Sequence, residues 1–324
     1  MIKRALIVLL CVSGVWAFWP GAGIKYAVVD VRSGMTARDV LLSLQNEKLL
    51  SVPYPFLLWT RLRGAGPRLK LGRYRLSLGR SSFWIIDDLI AGRTLKTSVV
   101  VPEGFASWQI ADRLVEAKVC DGDQFKRVVA AEKLEGFLFP ATYDFDFGID
   151  PAQAAHLLKA NFDRRWTPEM ESQAASMGWG KRETVTLASI LEREAVDRAE
   201  LPTISSVYHN RLKRKILLQA DPTVQFALGY WKSRLTYDDY RKTISPYNTY
   251  LHAGLPPGPI SNPGLDAIKA ALWPAQTEYL YFVADDEGKH TFTTNYRDHT
   301  NKVNQRNKKN QGTKRIPTSK KGRS

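Results

Sequence analysis

The segment 183–196, ETVTLASILEREAV, carries the side chain best placed to do chemistry. Leu187, Ile190, Leu191 and Glu194 recur at i, i+3, i+4 and i+7, so a helix here sets Glu194 in line with its apolar face. A carboxyl among apolar neighbours loses hydration of its charged form and its pKa rises. That is the condition a general acid needs near neutral pH. Glu192 falls near the opposite side and is expected to be wetter. An ion pair from Glu194 to Arg193 or Arg198 is the competing reading, and periodicity alone leaves both open.

Two further segments could line a site. In Leu218-Gln219-Ala220-Asp221-Pro222-Thr223, Asp221 is placed to cap the following helix, with Pro222 at its first position. In Tyr247-Asn248-Thr249-Tyr250, two aromatic faces and two hydrogen-bonding groups share one short loop. Sugars are held in that way, ring C–H faces on aromatics and hydroxyls on amides; a packed loop is the alternative. The histidines (His156, His209, His252, His290 and His299) show no metal-ligand spacing, and no HExxH, GxSxG or phosphate loop occurs. Gly64-Ala65-Gly66 runs into Pro67 and does not open a phosphate-binding helix. Neither metal nor cofactor is expected, which leaves glycan, peptide or protein partners.

The net charge of +15 over 324 residues suggests nucleic acid until it is located. Residues 301–324 hold nine Lys/Arg and no acid, and Lys3-Arg4 adds two, so the body carries 36 basic against 32 acidic side chains. That is an ordinary surface, and nucleic acid is not expected as a partner. The two cysteines, Cys11 and Cys120, exclude a disulfide framework. Ala5 to Ile24 runs twenty residues without a charge behind Lys3-Arg4, with Trp16, Phe18 and Trp19 at its far end. This reads as a membrane-spanning signal anchor over 1–24, with a cleaved signal peptide as the alternative; either sends the rest out of the cytoplasm.

The elements that must position these residues follow in order. Tyr26–Val31 alternates as a strand, Thr36–Gln45 is amphipathic, Leu71–Leu76 is a second strand, and Ser81/Ser82 open a helix to Ile90. With a strand from Ser98, this is a small α+β module over 25–98. Helices are expected over 151–165, 183–196, 202–214 and 266–273, a Pro/Gly-rich functional loop over 245–264, and a closing strand over 279–284. A larger mixed α+β domain thus spans 99–305, followed by a basic, disordered tail over 306–324.

The runs VPEGF (101–105), LEGFLFPATYDF (134–145), ASILEREA (188–195), VYHNRL (207–212), LQADPTVQFALG (218–229), SPYNTY with GLPPGPISNPG (245–264) and YLYFVAD with HTFTTN (279–295) resemble the MltG/YceG-like endolytic murein transglycosylases. The resemblance covers about residues 1–305 in order and spacing. It implies an α+β fold with an N-terminal transmembrane helix, a LysM-like module and a catalytic domain facing the bacterial periplasm. The implied reaction cleaves the β-1,4 bond between N-acetylmuramic acid and N-acetylglucosamine in nascent peptidoglycan and leaves a 1,6-anhydro end. It places the single acid–base carboxyl at Glu194, with Glu192 the competing assignment, and the cleft wall at Gln219, Asp221, Tyr247, Asn248 and Tyr250. The implied partners are glycan strands, the membrane and cell-wall synthases. A non-catalytic wall-binding scaffold and a water-using muramidase are the alternatives.

Overall fold

The computed structural model describes residues 25–32, 34–50, 54–285 and 288–313, a mixed α+β protein. The expected anchor at 1–24 lies outside these residues. Among those described, no helix is long and apolar enough to cross a membrane. In chain order the elements are β1 (Tyr26–Val31), α1 (Ala37–Asn46), α2 (Tyr54–Leu62), β2 (Gly72–Ser77), α3 (Ser82–Ala91), β3 (Lys96–Val101), α4 (Ser107–Glu116) and α5 (Gly122–Ala131). Then come β4 (Ala141–Asp146), α6 (Pro151–Arg165), α7 (Pro168–Ser176), α8 (Lys181–Glu194), α9 (Leu201–Lys213), α10 (Asp221–Leu228) and α11 (Tyr237–Lys242). The chain closes with α12 (Leu265–Leu272), β5 (Tyr281–Ala284), β6 (His290–Thr293) and α13 (Tyr296–Thr313).

Two compact units result. One takes in the described residues up to Val100 with Ile110–Val128 and Thr142–His156; the other takes in Val101–Gln109, Val129–Ala141 and the described residues from Leu157 onward. The chain first crosses at Val100–Val101, and two later segments return to the first unit. The β3–β4 pairing accounts for one of these returns.

In the first unit, β1 and β2 pair antiparallel with Val29 opposite Tyr74 and Asp30 opposite Arg73. Val29, Val31, Tyr74 and Leu76 go to the core. On the other face Arg73 grips both oxygens of Asp30, at 2.7 and 3.0 Å. Thr36 caps α1 in a box with Asp39, which turns Val40, Leu41 and Leu44 inward. The helix α2 was not legible as one, because its sequence YPFLLWTRL is apolar on almost every side and shows no period. Phe56 and Thr60 are buried, while Tyr54, Leu58 and Leu62 face outward.

In the second unit, α8 is the central helix: every residue from Thr184 to Leu191 is buried, and α12 and α9 pack on it. Small residues along the helix let backbone approach closely. Ser189 Oγ accepts from the Ile260 amide at 3.0 Å, and its carbonyl accepts from Ser261 at 3.1 Å. The loop 245–264 has no helix or strand, as expected. The strand expected over 279–284 is β5, one half of a hairpin with Phe282 opposite Phe292. The helix α7, capped by Thr167 with Pro168 at its start, escaped notice because it is polar nearly all round. The helix α13 continues past residue 306 to Thr313, so that part of the basic tail is helical.

Candidate functional site

Glu194 is the last residue of α8. A carboxylate there faces the negative end of the helix dipole, which disfavours ionisation. Tyr208 on α9 donates its hydroxyl to Glu194 Oε1 at 3.0 Å. One turn along α9 lies Arg211, buried, whose Nε and Nη1 donate to the carbonyls of Leu280 and Leu218 at 2.7 and 2.6 Å. Solvent still reaches part of Glu194. Burial first, and then the charge of Asp221, push its pKa up to about 7; the Tyr208 hydrogen bond and the cations Arg211 and Arg193 oppose the rise. At that value the group is divided between acid and base at neutral pH, as a proton donor and acceptor must be.

Glu192 departs from expectation. Its side chain is only 9% exposed, because the turn at Gly264 and the side chain of Arg198 cover the face that was expected to be wet. Oε1 meets Arg198 at 3.1 Å and Oε2 accepts from the Gly264 amide at 3.0 Å. Burial raises its pKa as well. Both oxygens are occupied: one pins Gly264 to α8 and the other holds Arg198. Arg198, a proposed partner of Glu194, is engaged by Glu192 and Glu103 instead.

Asp221 is a second departure. Ala220 holds the cap position of α10 and Asp221 is its first residue, so it does not cap. Its two oxygens accept from the hydroxyls of Tyr240 and Tyr250, at 3.1 and 2.5 Å. The two rings lie 4.5 Å apart. Burial raises the pKa of both phenols, so both stay protonated and donate to the carboxylate.

The segment 218–223 is tied to loop 248–250. The Gln219 and Ala220 amides donate to the carbonyl and hydroxyl of Thr249 at 3.1 and 2.9 Å. This pairing brings Asp221 and Tyr250 together. It also holds Gln219 at φ 51°, with its side chain exposed. A non-glycine residue in that region carries strain, which collects at functional sites. Asn248, expected on the cleft wall, is fully buried. Its amide donates to the carbonyls of Tyr240 and Thr243 at 2.8 and 2.9 Å and accepts from the Tyr250 amide at 3.0 Å. It shapes the loop and has no surface left for a sugar. Tyr247 is half-buried, with its ring 4.9 Å from Phe226.

That contact belongs to a row of four partly exposed rings. Phe226 lies 5.2 Å from Trp108, and Trp108 lies 5.7 Å from Trp231. The guanidinium of Arg193, next in sequence to Glu194, caps the row 4.0 Å over Trp231. Trp108, Phe226 and Trp231 drew no attention in the sequence, since isolated aromatics carry no spacing rule.

Glu135 was missed as well. It accepts from the Ser107 amide at 3.2 and 3.1 Å and from Asn262 Nδ2 at 3.0 Å, and burial pushes its pKa up to about 7. Asn262, fully buried, also bonds Leu138 and Phe105 through its side-chain amide and Gly104 through its backbone carbonyl, so one residue ties these segments together. The apolar surround of LEGFLFP was the available signal for a buried acid. Just behind it, Gly136 (φ +88°) has no room for a side chain. An added Cβ would stand 2.4 Å from Pro259 and 2.9 Å from Val185. Among the described residues, no cluster of His, Cys, Asp or Glu could hold a metal.

Comparison with known proteins gives concordant results. A sequence model of the YceG-like family matches residues 29–305. A Bacillus subtilis (strain 168) protein named endolytic murein transglycosylase is 32% identical over 302 residues, covering 84% of this chain and 82% of that one. A Streptococcus pneumoniae (strain D39) protein of the same name is 27% identical over 321 residues; this chain spans 58% of its length. The crystal structure of a YceG-like protein from Listeria monocytogenes superposes with a TM-score of 0.57 at 31% identity, covering 86% of this chain and 99% of that one.

Proposed function

The chain belongs to the YceG-like family, and on that premise we propose that it is an endolytic murein transglycosylase, a lyase cutting the β-1,4 bond between N-acetylmuramic acid and N-acetylglucosamine. The observation that carries this reading is Glu194, recessed at the end of α8 with a pKa raised to about 7. Protonated, Glu194 donates to the scissile glycosidic oxygen, and positive charge develops at C1 of the muramic acid as that bond breaks. The negative charge of Asp221 favours both the retained proton and the developing cation. The Glu194 carboxylate then takes the proton of the sugar's own 6-hydroxyl, whose oxygen bonds to C1 and closes a 1,6-anhydro ring. One proton leaves and one returns, and no water is consumed. Tyr208 and Arg211 stabilise the carboxylate during the interval when it is charged. The rings of Trp231, Trp108, Phe226 and Tyr247 offer sugar faces a platform.

In the same reading, residues 5–24 hold the chain in the bacterial cytoplasmic membrane and the rest faces the periplasm. Residues 25–98 are a LysM-like glycan-binding module, and cell-wall synthases are partners. Asp221 gives one observation to a second reading, a muramidase in which water adds at C1. Product mass separates the two. The full chain in detergent, given uncrosslinked glycan strands, should release fragments with anhydro ends, lighter by one water than hydrolysis products. Reducing ends would support the muramidase. Glu194→Gln should lower turnover about 10²- to 10⁴-fold with circular dichroism unchanged, whereas Glu192→Gln should retain chemistry. Full activity of Glu194→Gln would overturn the mechanism.

A further inference from the structure

The helix α2 turns one face to the core of its unit and the other to solvent. Phe56 and Thr60 are buried, while Tyr54, Leu58 and Leu62 are 80, 58 and 67% exposed. These three, with Arg61, stand at i, i+4, i+8 and i+7 and form one stripe. Leu57 and Trp59 flank it and complete a shallow apolar depression. A contiguous outward apolar face of this kind marks an interaction surface.

Two observations select the partner. First, residues 51–70 contain Arg61, Arg63, Arg68 and Lys70 and no acid. Arg63 is held by Asp87 at 3.5 Å and Lys70 by the Ala91 carbonyl at 3.4 Å, while Arg61 within the stripe and Arg68 six residues beyond Leu62 are exposed. Apolar side chains edged with cations, and a tyrosine at the end, match the boundary between acyl chains and anionic headgroups. Second, β1 belongs to the same unit and begins at Tyr26, one residue after the charge-free run Ala5–Ile24. A unit joined to that run by Lys25 alone stays within reach of any bilayer the run enters.

We propose that the outward face of α2 is a membrane-docking surface. Tyr54, Leu58 and Leu62 enter the interface of an anionic bilayer, and Arg61 and Arg68 pair with lipid phosphates. The inference rests on the anchoring part of the proposed function and is independent of the glycan chemistry. Docking holds the first unit flat at the bilayer surface, so that the anchor alone does not set its orientation.

The test is hydroxyl-radical footprinting of the full chain in lipid nanodiscs at one chain per disc. Val115, exposed on the same unit, serves as the internal reference. In phosphatidylglycerol discs, Tyr54, Leu58 and Leu62 should oxidise about fivefold more slowly relative to Val115 than in phosphatidylcholine discs, the factor one surface-attracted cation supplies. Arg61→Glu with Arg68→Glu should abolish the difference. Equal rates in both discs overturn the proposal, and protection that survives the charge reversal overturns it in favour of residues 1–24 covering the stripe. Protection that grows only with two chains per disc overturns it in favour of a second copy. A chain that does not stay with the discs overturns the anchoring reading and this inference together. One that stays while the stripe remains open overturns the inference alone.

Discussion

In the first unit the interior is largely apolar: Val40, Leu44, Phe56, Ile85, Ile86 and Leu89 fill it, Thr60, Ser77, Ser82 and Asp88 are the polar side chains buried there, and Arg73 with Asp30 stands at its margin. In the second unit, polar groups run through the interior beside α8. Ser189, Thr223, Asn248, Thr249, Ser261 and Asn262 are all buried, and each is satisfied by a backbone or side-chain partner. An apolar core is non-directional and tolerates adjustment, whereas a polar network fixes positions and fails when one member is lost. A carboxyl that must meet a reacting atom needs the second kind of support.

The difference can be broken at its strongest point first. Glu194→Gln should cost about 10²- to 10⁴-fold in turnover, measured as soluble fragments released, with the melting temperature little changed. Next, Asn262→Ala should strand the buried Leu138 amide, at about 1–3 kcal/mol, and remove one of the two donors to Glu135 Oε1. Activity should fall with stability. Leu44→Ala in the first unit should cost about 2–5 kcal/mol in denaturant melts and leave turnover per folded molecule intact. If Asn262→Ala melts and turns over like the parent chain, the network does not support the site.

Smaller effects follow from pH. The folded pKa of Glu135 is raised from its ordinary 4.5 to about 7, so the folded state binds more protons than the unfolded between those values. Its contribution to stability is full below pH 4.5 and is lost as pH rises through 7, on the order of a few kcal/mol in all. Glu135→Gln should flatten that part of the curve in melts taken between pH 4 and 8. The least effect is expected from Asp221→Asn. Removing that charge lowers the pKa of Glu194, so the alkaline limb of kcat/KM should move to lower pH. A limb that stays in place would mean that Asp221 acts on the substrate alone.

Local signals were legible in the sequence. The strand β1, the capped helix α1 and the apolar register that ends at Glu194 each announce themselves within ten residues. Long-range pairings were not. Tyr240 and Tyr250 reach Asp221 from 19 and 29 residues away, and Asn262 reaches Glu135 across 127. No spacing rule foresees such contacts. Periodicity misjudged Glu192 for the same reason: the side expected to be wet is covered by a distant turn at Gly264 and by Arg198. Asn248 was chosen by residue type in an exposed-looking loop, and the loop folds around it.

Gly136 has a consequence for how this protein can change over time. Its missing side chain, Pro259 and Val185 share a single volume. A substitution that enlarges any one of them displaces the segment bearing Glu135 or the helix bearing Glu194. Shrinking Pro259 and Val185 would clear space but not relieve the φ of +88°, so Gly136 should stay glycine even where its neighbours change. Tyr54, Leu58 and Leu62 on the outer face of α2 are exposed and carry no such constraint from the interior.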